Sequence, residues 1–217
     1  MFALLPGADR GDAPRVTLEM VRPLHGLVYR LVVAVDVEGY SKLDALDQSL
    51  VQSRLSDVLD VAARKAGLDR DLWYRQVSGD GELAVLPTDA DTAWVVAHFT
   101  GQLAEALADL RRAGTPLRMR VAMHCGPLTA GAFGLVGDAP IVTCRLLDAK
   151  VVRDALAATA EDDLVLVISQ QLYDDVVRTR FHELDPTRFR FTRFRAKKQV
   201  YTGYLCAGAP RRGWANG

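Results

Sequence analysis

The sequence has few cysteines, no excess of charge of either sign and no long apolar run. Three cysteines, Cys125, Cys144 and Cys206, are too few and too scattered for a disulfide framework or a structural zinc cluster. No apolar stretch reaches the roughly 18 to 20 residues of a membrane span. The first 15 residues lack the basic start and apolar core of a signal peptide. We therefore expect a soluble, cytoplasmic protein that does not insert into membranes.

The charge balance excludes one class of partner. The 217 residues include 27 Lys and Arg against 27 Asp and Glu, so the formal net charge is zero. A constitutive nucleic-acid binder needs a surplus of basic residues to displace counterions from phosphate, and we expect no nucleic-acid partner. The length favours one domain. We expect an irregular lead-in over residues 1–26, a single domain over 27–205 and a tail over 206–217.

The spacing of apolar residues predicts the order of strands and helices. A nearly continuous apolar run over residues 27–35 is typical of a strand buried on both faces, and residues 43–66 show helical spacing. Further strands are predicted at 72–77, 82–86, 117–124, 164–168, 188–194 and 200–205, further helices at 91–113, 142–158 and 169–178, and a turn-rich segment at 126–140. This order predicts an α+β fold in which helices cover one mixed, largely antiparallel sheet.

Two carboxylates stand where strands are predicted to end. Asp36 directly follows the most apolar strand, and Asp80 lies in Ser78-Gly79-Asp80-Gly81, a strong tight-hairpin pattern. If this strand and hairpin are neighbours in the sheet, the two carboxylates converge at one end. Such a pair suits Mg²⁺ or Mn²⁺, hard ions that leave positions for phosphate oxygens. The alternative is an ordinary strand-end Asp and an ordinary turn Asp.

A short turn connects the first strand to the first helix. It consists of Glu38, Gly39, Tyr40 and Ser41. A small-residue turn before a helix presents backbone N–H groups at the positive end of the helix dipole, which favours an anion. We therefore expect these four residues to contribute to substrate binding.

Three segments together resemble the class III nucleotidyl cyclases, the catalytic domains of adenylate and guanylate cyclases. Residues 33–41 (VAVDVEGYS) resemble the first metal-binding strand of that family, and residues 77–84 (VSGDGELA) resemble its second metal-Asp hairpin. Residues 120–131 (RVAMHCGPLTAG) are similar to its R-x-x-x-H-x-G-x-x-x-x-G pattern. Order and spacing also fit over residues 27–205. The resemblance implies the cyclase fold, with a ferredoxin-like core, and a homodimer with active sites at its interface.

The resemblance also implies a metal site. Asp36 and Asp80, with the backbone carbonyl of Val37, would bind two divalent cations, Mn²⁺ or Mg²⁺. One ion would help the ribose 3′-hydroxyl lose its proton, and the other would hold the triphosphate from which diphosphate leaves. Because the metal lowers the pKa of the hydroxyl, we expect His124 to be a packed or hydrogen-bonded histidine and not a catalytic base.

Two basic positions complete the implied catalytic set. Arg145 matches the Arg that stabilises the transition state in the family, whereas the Asn four residues before it is replaced by Ile141. Lys197 matches a phosphate-binding Lys on the last hairpin, and Lys198 is a close alternative. The metals would belong to one chain of the dimer and Arg145 to the other.

The positions that read the base depart from those of purine cyclases. Purine cyclases have a Lys or Glu four residues before the second metal Asp, where this sequence has Gln76. The segment between the glycine motif and the helix that carries Arg145 is also shortened, to residues 132–140. These departures resemble the compact pyrimidine cyclases of bacterial Pycsar antiphage systems, which form cyclic UMP or cyclic CMP. Tyr29, Tyr74, Arg75 and Gln76 are candidate substrate contacts, and the sequence leaves the choice among them open.

The sequence therefore predicts a pyrimidine cyclase that converts UTP, or CTP, into a 3′,5′-cyclic monophosphate and diphosphate. The product would act as a second messenger in antiphage defence, through an effector with a cyclic-nucleotide-binding domain. Two alternatives stay open: an adenylate or guanylate cyclase, and a catalytically silent cyclase-homology module that only binds or dimerises. The alternating Phe and Arg over residues 188–195 predict an edge strand with one buried face.

Overall fold

The computed structural model describes residues 26–159, 161–208 and 210. Most of the expected lead-in and the end of the expected tail lie outside these residues. The strands are β1 (Val28–Val37), β2 (Tyr74–Ser78), β3 (Gly81–Val85), β4 (Met119–Gly131), β5 (Gly134–Val136), β6 (Leu164–Ser169), β7 (Arg190–Ala196) and β8 (Gln199–Ala207). The α-helices are α1 (Ala45–Lys65), α2 (Thr92–Trp94), α3 (Thr100–Arg112), α4 (Asp138–Leu147), α5 (Lys150–Ala158) and α6 (Gln170–Asp175).

One mixed sheet organises these elements. Its strands lie in the order β2-β3-β1-β4-β6-β8-β7, and β5 pairs with β4 outside this path. The β4–β6 pair is parallel, whereas β1 is antiparallel to both of its neighbours. Parallel neighbours need a crossover connection, which α4 and α5 supply. The predicted α+β fold with helices over one mixed sheet is confirmed.

Helices cover both faces of the sheet, which explains the continuous apolar run in β1. Alternate residues of β1, such as Val33 and Val35, pack against α1 and α3 on what we call the α1 face. Ala34 packs with residues of α4 and α5 on the other side, the α4 face. A strand buried on both sides cannot alternate apolar and polar residues. Within the described residues, no helix has the length and apolar character that a membrane span requires.

The predicted turn-rich segment over residues 126–140 was wrong in part. Strand β4 continues to Gly131, forms a hairpin with β5, and is followed by α4 from Asp138. Pro127 is tolerated because β4 pairs with β6 only as far as Met123, so beyond that point one side of β4 lacks a strand partner. Glycine and proline content alone therefore mispredicted a paired strand.

Two predicted helices are interrupted. The helix predicted over 142–158 is two helices, because Ala149 adopts extended angles (φ −63°, ψ 134°) between α4 and α5. The helix predicted over 91–113 contains a π-helical segment, Val95–Phe99, between α2 and α3. Apolar spacing continues across both interruptions, so it gives no sign of them.

The Phe and Arg alternation near the C-terminal end forms the edge strand β7, as predicted. Phe194 packs with the core on the α4 face. Arg193 and Arg195, one residue to either side, are exposed. Phe191, however, lies on the same face as Arg193 and is 52% exposed, so the Phe and Arg alternation matches the two faces of β7 only in part.

Candidate functional site

The central feature of the site is the position of Asp36 between two strands. It lies near the end of β1, opposite Gly81 of β3 on one side and Arg120 of β4 on the other. The next amide, that of Val37, donates a hydrogen bond of 2.9 Å to the backbone carbonyl of Asp80. Strand pairing therefore brings Asp36 and Asp80 to the same end of the sheet, as the sequence predicted.

Gly81 makes the close approach of the hairpin possible. A Cβ atom at this position would overlap the backbone oxygen of Val35 and lie 3.4 Å from the Cα of Asp36. Any side chain here would push β3 away from β1 and would carry Asp80 with it. The glycine after Asp80 is thus needed for packing against β1 as well as for the turn.

Two cross-strand ion pairs surround the end of β1. Asp36 is paired with Arg120, and the next residue on the same face, Glu38, binds Arg118 with its Oε2 2.8 Å from Nη1. Burial lowers the pKa of the Arg120 guanidinium, and the positive charge of Arg153 lowers it further. The carboxylate of Asp148, between α4 and α5, opposes this shift. The Nε atom of Arg120 is buried without a hydrogen-bond partner among the described residues.

The sequence patterns assigned no chemical role to Arg118 or Arg120, although Arg120 is the first residue of the R-x-x-x-H-x-G-x-x-x-x-G pattern. Both lie in the strand predicted over residues 117–124, but a strand prediction does not show that β4 pairs with β1 in the register that places Arg120 opposite Asp36. A partly buried cation next to a partly buried carboxylate, with one N–H unused, is an arrangement that a phosphate group could complete.

The turn after β1 is built around Gly39 and Tyr40. Gly39 has φ 77°, a left-handed conformation that favours glycine, and it precedes a single 3-10 turn, Tyr40–Lys42. The Tyr40 hydroxyl accepts a hydrogen bond of 2.7 Å from Gln52 of α1, and its ring lies against Gly79 of the hairpin. Ser41 is exposed beside it. The turn therefore contacts the Asp80 hairpin directly.

The candidate base contacts divide between the two faces of the sheet. The registers of β1, β2 and β3 put Tyr74 and Gln76 on the same α4 face as Asp36, and Arg75 on the α1 face. Tyr29 lies seven residues before Asp36 on the opposite face of β1, roughly 23 Å away along the strand. Gln76 and Tyr74 are therefore the candidates that a nucleotide near Asp36 on that face could meet.

The basic candidates form no ion pair with Asp36 within the described part of one chain. Arg145 is on α4, one turn beyond Ile141, which is 52% exposed. Lys197 has φ 53° and forms the two-residue tip of the β7–β8 hairpin with Lys198. That tip lies at the end of the sheet opposite to Asp36. None of these three cations has a hydrogen bond or ion pair within the described part of the chain.

His124 is a packed histidine, as predicted. It is 7% exposed, and its Nδ1 lies 2.8 Å from the hydroxyl of Ser169, which also caps α6 by accepting from the Leu172 amide. Burial lowers the pKa of His124 below its ordinary value of 6.5, and Asp138 opposes this shift. The ring therefore joins β4 to the start of α6 and lies within the core.

Solved structures with a similar fold include cyclase catalytic domains. The catalytic core of a rhodopsin-guanylyl cyclase with converted specificity, in complex with ATPαS, has a TM-score of 0.58 and 18% identity over 84% of this chain and 96% of its own. An adenylate/guanylate cyclase/hydrolase from Silicibacter pomeroyi has a TM-score of 0.54 and 20% identity over 83% and 97%. The chain has the class III cyclase fold. No protein-family model matches the sequence, and no curated protein matches it significantly.

The donor atoms at the Asp36 end fit the ions that this cyclase fold implies. Among the described residues, no group of three or more His, Cys, Asp or Glu side chains could hold a metal by itself. Asp36 and Asp80 would offer two carboxylates from adjacent strands, and Val37 a backbone carbonyl. Such a partial set of hard oxygen donors suits Mg²⁺ or Mn²⁺ bound together with the phosphates of a nucleotide.

The close approach at Gly81 predicts that substitution by alanine destabilises the protein more at Gly81 than at Gly79 of the same hairpin. We expect Gly81→Ala to lower the free energy of unfolding by roughly 1 to 3 kcal/mol, because β3 must shift from β1. Gly79→Ala is the control, since its Cβ would lie 3.4 Å from the Tyr40 ring, an ordinary contact. Urea unfolding of both variants measures the difference, and equal effects would contradict the assigned close approach.

The buried His124 predicts a loss of stability in mild acid. Its pKa is lower in the folded than in the unfolded chain, so the unfolded chain binds more protons as the pH falls through the ordinary value of 6.5. Stability is therefore complete above that pH and decreases below it. Urea unfolding midpoints at several pH values should show this decrease in the wild type and a smaller one in His124→Gln. An unchanged pH dependence in the variant would refute the assignment.

Proposed function

We propose that this protein is a nucleotidyl cyclase that forms a 3′,5′-cyclic nucleotide and diphosphate from a nucleoside triphosphate. The observation that carries the proposal is the juxtaposition of Asp36, Asp80 and Arg120 at one end of the sheet, in a chain with the class III cyclase fold. Ordinary strand-end and turn aspartates do not require a partly buried arginine paired with one of them.

In the proposed site, each group has a task in phosphoryl transfer. Asp36, Asp80 and the Val37 carbonyl would hold two divalent ions, which would supply acidity to the 3′-hydroxyl and neutralise charge on the phosphates. Arg120 turns its partly used guanidinium from Asp36 to the phosphate oxygens. Catalysis of this kind depends on positioning and charge stabilisation, so the fixed strand register around Asp36 is its main requirement.

A symmetric homodimer completes the site. Arg145 and Lys197 would stabilise the transition state and bind phosphate, but in one chain neither pairs with Asp36, and Lys197 lies at the opposite end of the sheet. Both are without partners among the described residues, as expected for groups that meet a ligand on a second chain. Ile141 adds an exposed apolar side chain on the same helix as Arg145, which association would bury. Each dimer would then contain two equivalent sites.

We propose a pyrimidine triphosphate, UTP before CTP, as the substrate. The support is Gln76, which lies on the α4 face next to the short β4–β5 hairpin. A Cβ at Gly134 of that hairpin would be 3.5 Å from its Oε1. A carboxamide has a donor and an acceptor side by side, so it can bind the edge of uracil or cytosine. Tyr74, two residues away on the same face, is a second contact.

The biological role follows from the resemblance to Pycsar cyclases. A cytoplasmic enzyme of this type would release cyclic UMP or cyclic CMP as a second messenger in antiphage defence. A downstream effector with a cyclic-nucleotide-binding domain would detect it. The support for this role is that resemblance and the shortened segment over residues 132–140 near Gln76.

A silent cyclase-homology module is the second candidate. Ile141 in place of the family's Asn favours it, because an apolar side chain cannot donate a hydrogen bond to the transition state. Retention of both aspartates and of Arg145 favours an active enzyme. The two candidates predict opposite results in a single assay.

We predict that the purified chain with Mn²⁺ forms a cyclic product from UTP, or from CTP, faster than from ATP or GTP. Asp36→Asn and Asp80→Asn should each lower the rate about 100-fold or more, because charge stabilisation is lost. Asp89→Asn, an exposed carboxylate beyond the other end of β3, is the control that should retain activity. Product formation can be followed by chromatography.

The outcomes separate the alternatives. A preference for ATP or GTP would replace the pyrimidine assignment by a purine one. No product from any of the four triphosphates, in a protein that matches its aspartate variants, would leave the silent module as the correct function.

A further inference from the structure

We propose that Arg70 is a positioning residue that holds the Asp80 hairpin in place through Glu82. This inference rests on the proposed function, since it concerns the metal-binding role of Asp80. Arg70 lies in the 3-10 turn Arg70–Leu72, between α1 and β2, and Glu82 is the second residue after Asp80 on β3. No pattern in the sequence indicates that these two side chains form an ion pair.

The contacts of Arg70 join three elements. Its Nη2 donates to both carboxylate oxygens of Glu82, at 2.9 and 2.7 Å, and its Nη1 binds Asp60 of α1. The guanidinium carbon lies 5.9 Å from the centre of the Trp73 ring. The side chains of Arg70 and Glu82 are 4% and 9% exposed, so the pair is buried on the α1 face. Arg70 thereby links the Glu82 carboxylate of β3 to α1, the longest of the described helices.

Besides this contact, the Val37–Asp80 backbone hydrogen bond and the Tyr40 ring against Gly79 hold the hairpin tip, and few of its own side chains are buried. Val77 is 74% exposed, and the neighbouring residues Ser78 and Gly79 are exposed as well. β2 is an edge strand, so only β3 continues into the sheet. On the α4 face, Gly81 has no side chain with which to anchor the turn. The nearest buried side-chain contact after Asp80 is that of Glu82, on the opposite face.

A role in positioning β3 explains this buried ion pair better than a contribution to the stability of the fold. Burying two charges costs desolvation energy that their attraction barely offsets, and apolar residues of similar size often stabilise a protein more. However, the Arg70 guanidinium contacts both oxygens of Glu82 through Nη2 and Asp60 through Nη1, so it fixes the position of Glu82 relative to α1. This link would therefore fix the distance of β3 from α1, and with it the position of Asp80 relative to Asp36.

The test compares geometry with simple stability in the full-length chain. Glu82→Gln removes the charge and one acceptor oxygen, and Arg70→Lys cannot contact Glu82 and Asp60 through separate nitrogens, whereas Arg70→Met/Glu82→Met replaces the pair with apolar side chains. Leu172→Ala is the control: it truncates a buried residue of α6, at the other end of the sheet, and costs about 2 to 5 kcal/mol. Urea unfolding of each variant gives its stability.

Two readouts follow the hairpin. The first is hydrogen exchange of the Val37 amide, which donates to the Asp80 carbonyl and reports the hairpin position without any need for activity. The second is the Mn²⁺ concentration for half-maximal cyclase activity. In both single variants we expect Val37 exchange and this Mn²⁺ midpoint to rise about 10-fold, with KM for the triphosphate at saturating Mn²⁺ little changed. The double variant should regain stability but remain impaired in both.

The proposal is overturned if the double variant regains wild-type Val37 exchange together with its stability, because the pair would then be structural only. It is also overturned if Leu172→Ala raises Val37 exchange as much as the hairpin variants do. Should the wild type lack cyclase activity, the exchange result still decides whether Arg70 positions the hairpin, and only the proposed function fails.

Discussion

The pairing of β1 with β3 and β4 around Asp36 is the constraint on which the rest of the site depends. An antiparallel neighbour on each side fixes the register of this residue, and the absence of a side chain at Gly81 lets the hairpin approach closely. Asp80 is placed by the same contact, through the hydrogen bond from the Val37 amide. A catalytic geometry specified by backbone pairing is more rigid than one built from loops.

Charge in this molecule is organised locally and sums to zero. Two cross-strand ion pairs lie on the α4 face, and a third pair, buried on the α1 face, is attached to the same hairpin. The overall balance of 27 basic and 27 acidic residues says nothing about this arrangement. It argues against a partner such as a long nucleic acid, which needs many cations at once, but a single triphosphate needs only a few cations in the right place.

The sequence predicted the fold class and the convergence of Asp36 and Asp80, because both follow from local patterns: a doubly buried strand and a two-residue turn. It could not predict contacts that depend on register. The Asp36–Arg120 pair joins residues 84 positions apart, and only the pairing of β1 with β4 puts them opposite. For the same reason, the sequence could not show which of Arg75 and Gln76, neighbours on opposite faces of one strand, lies on the same face as Asp36.

The central claim is that metal-binding aspartates of one chain act together with Arg145 of a second chain. It is tested most directly by mixing two inactive variants, Asp36→Asn and Arg145→Ala, under conditions in which subunits exchange. Each mixed dimer would contain one site with all its residues intact, so the account predicts recovery of roughly a quarter of the wild-type rate. A mixture as inactive as its two parents, with mixed dimers present, would contradict the account.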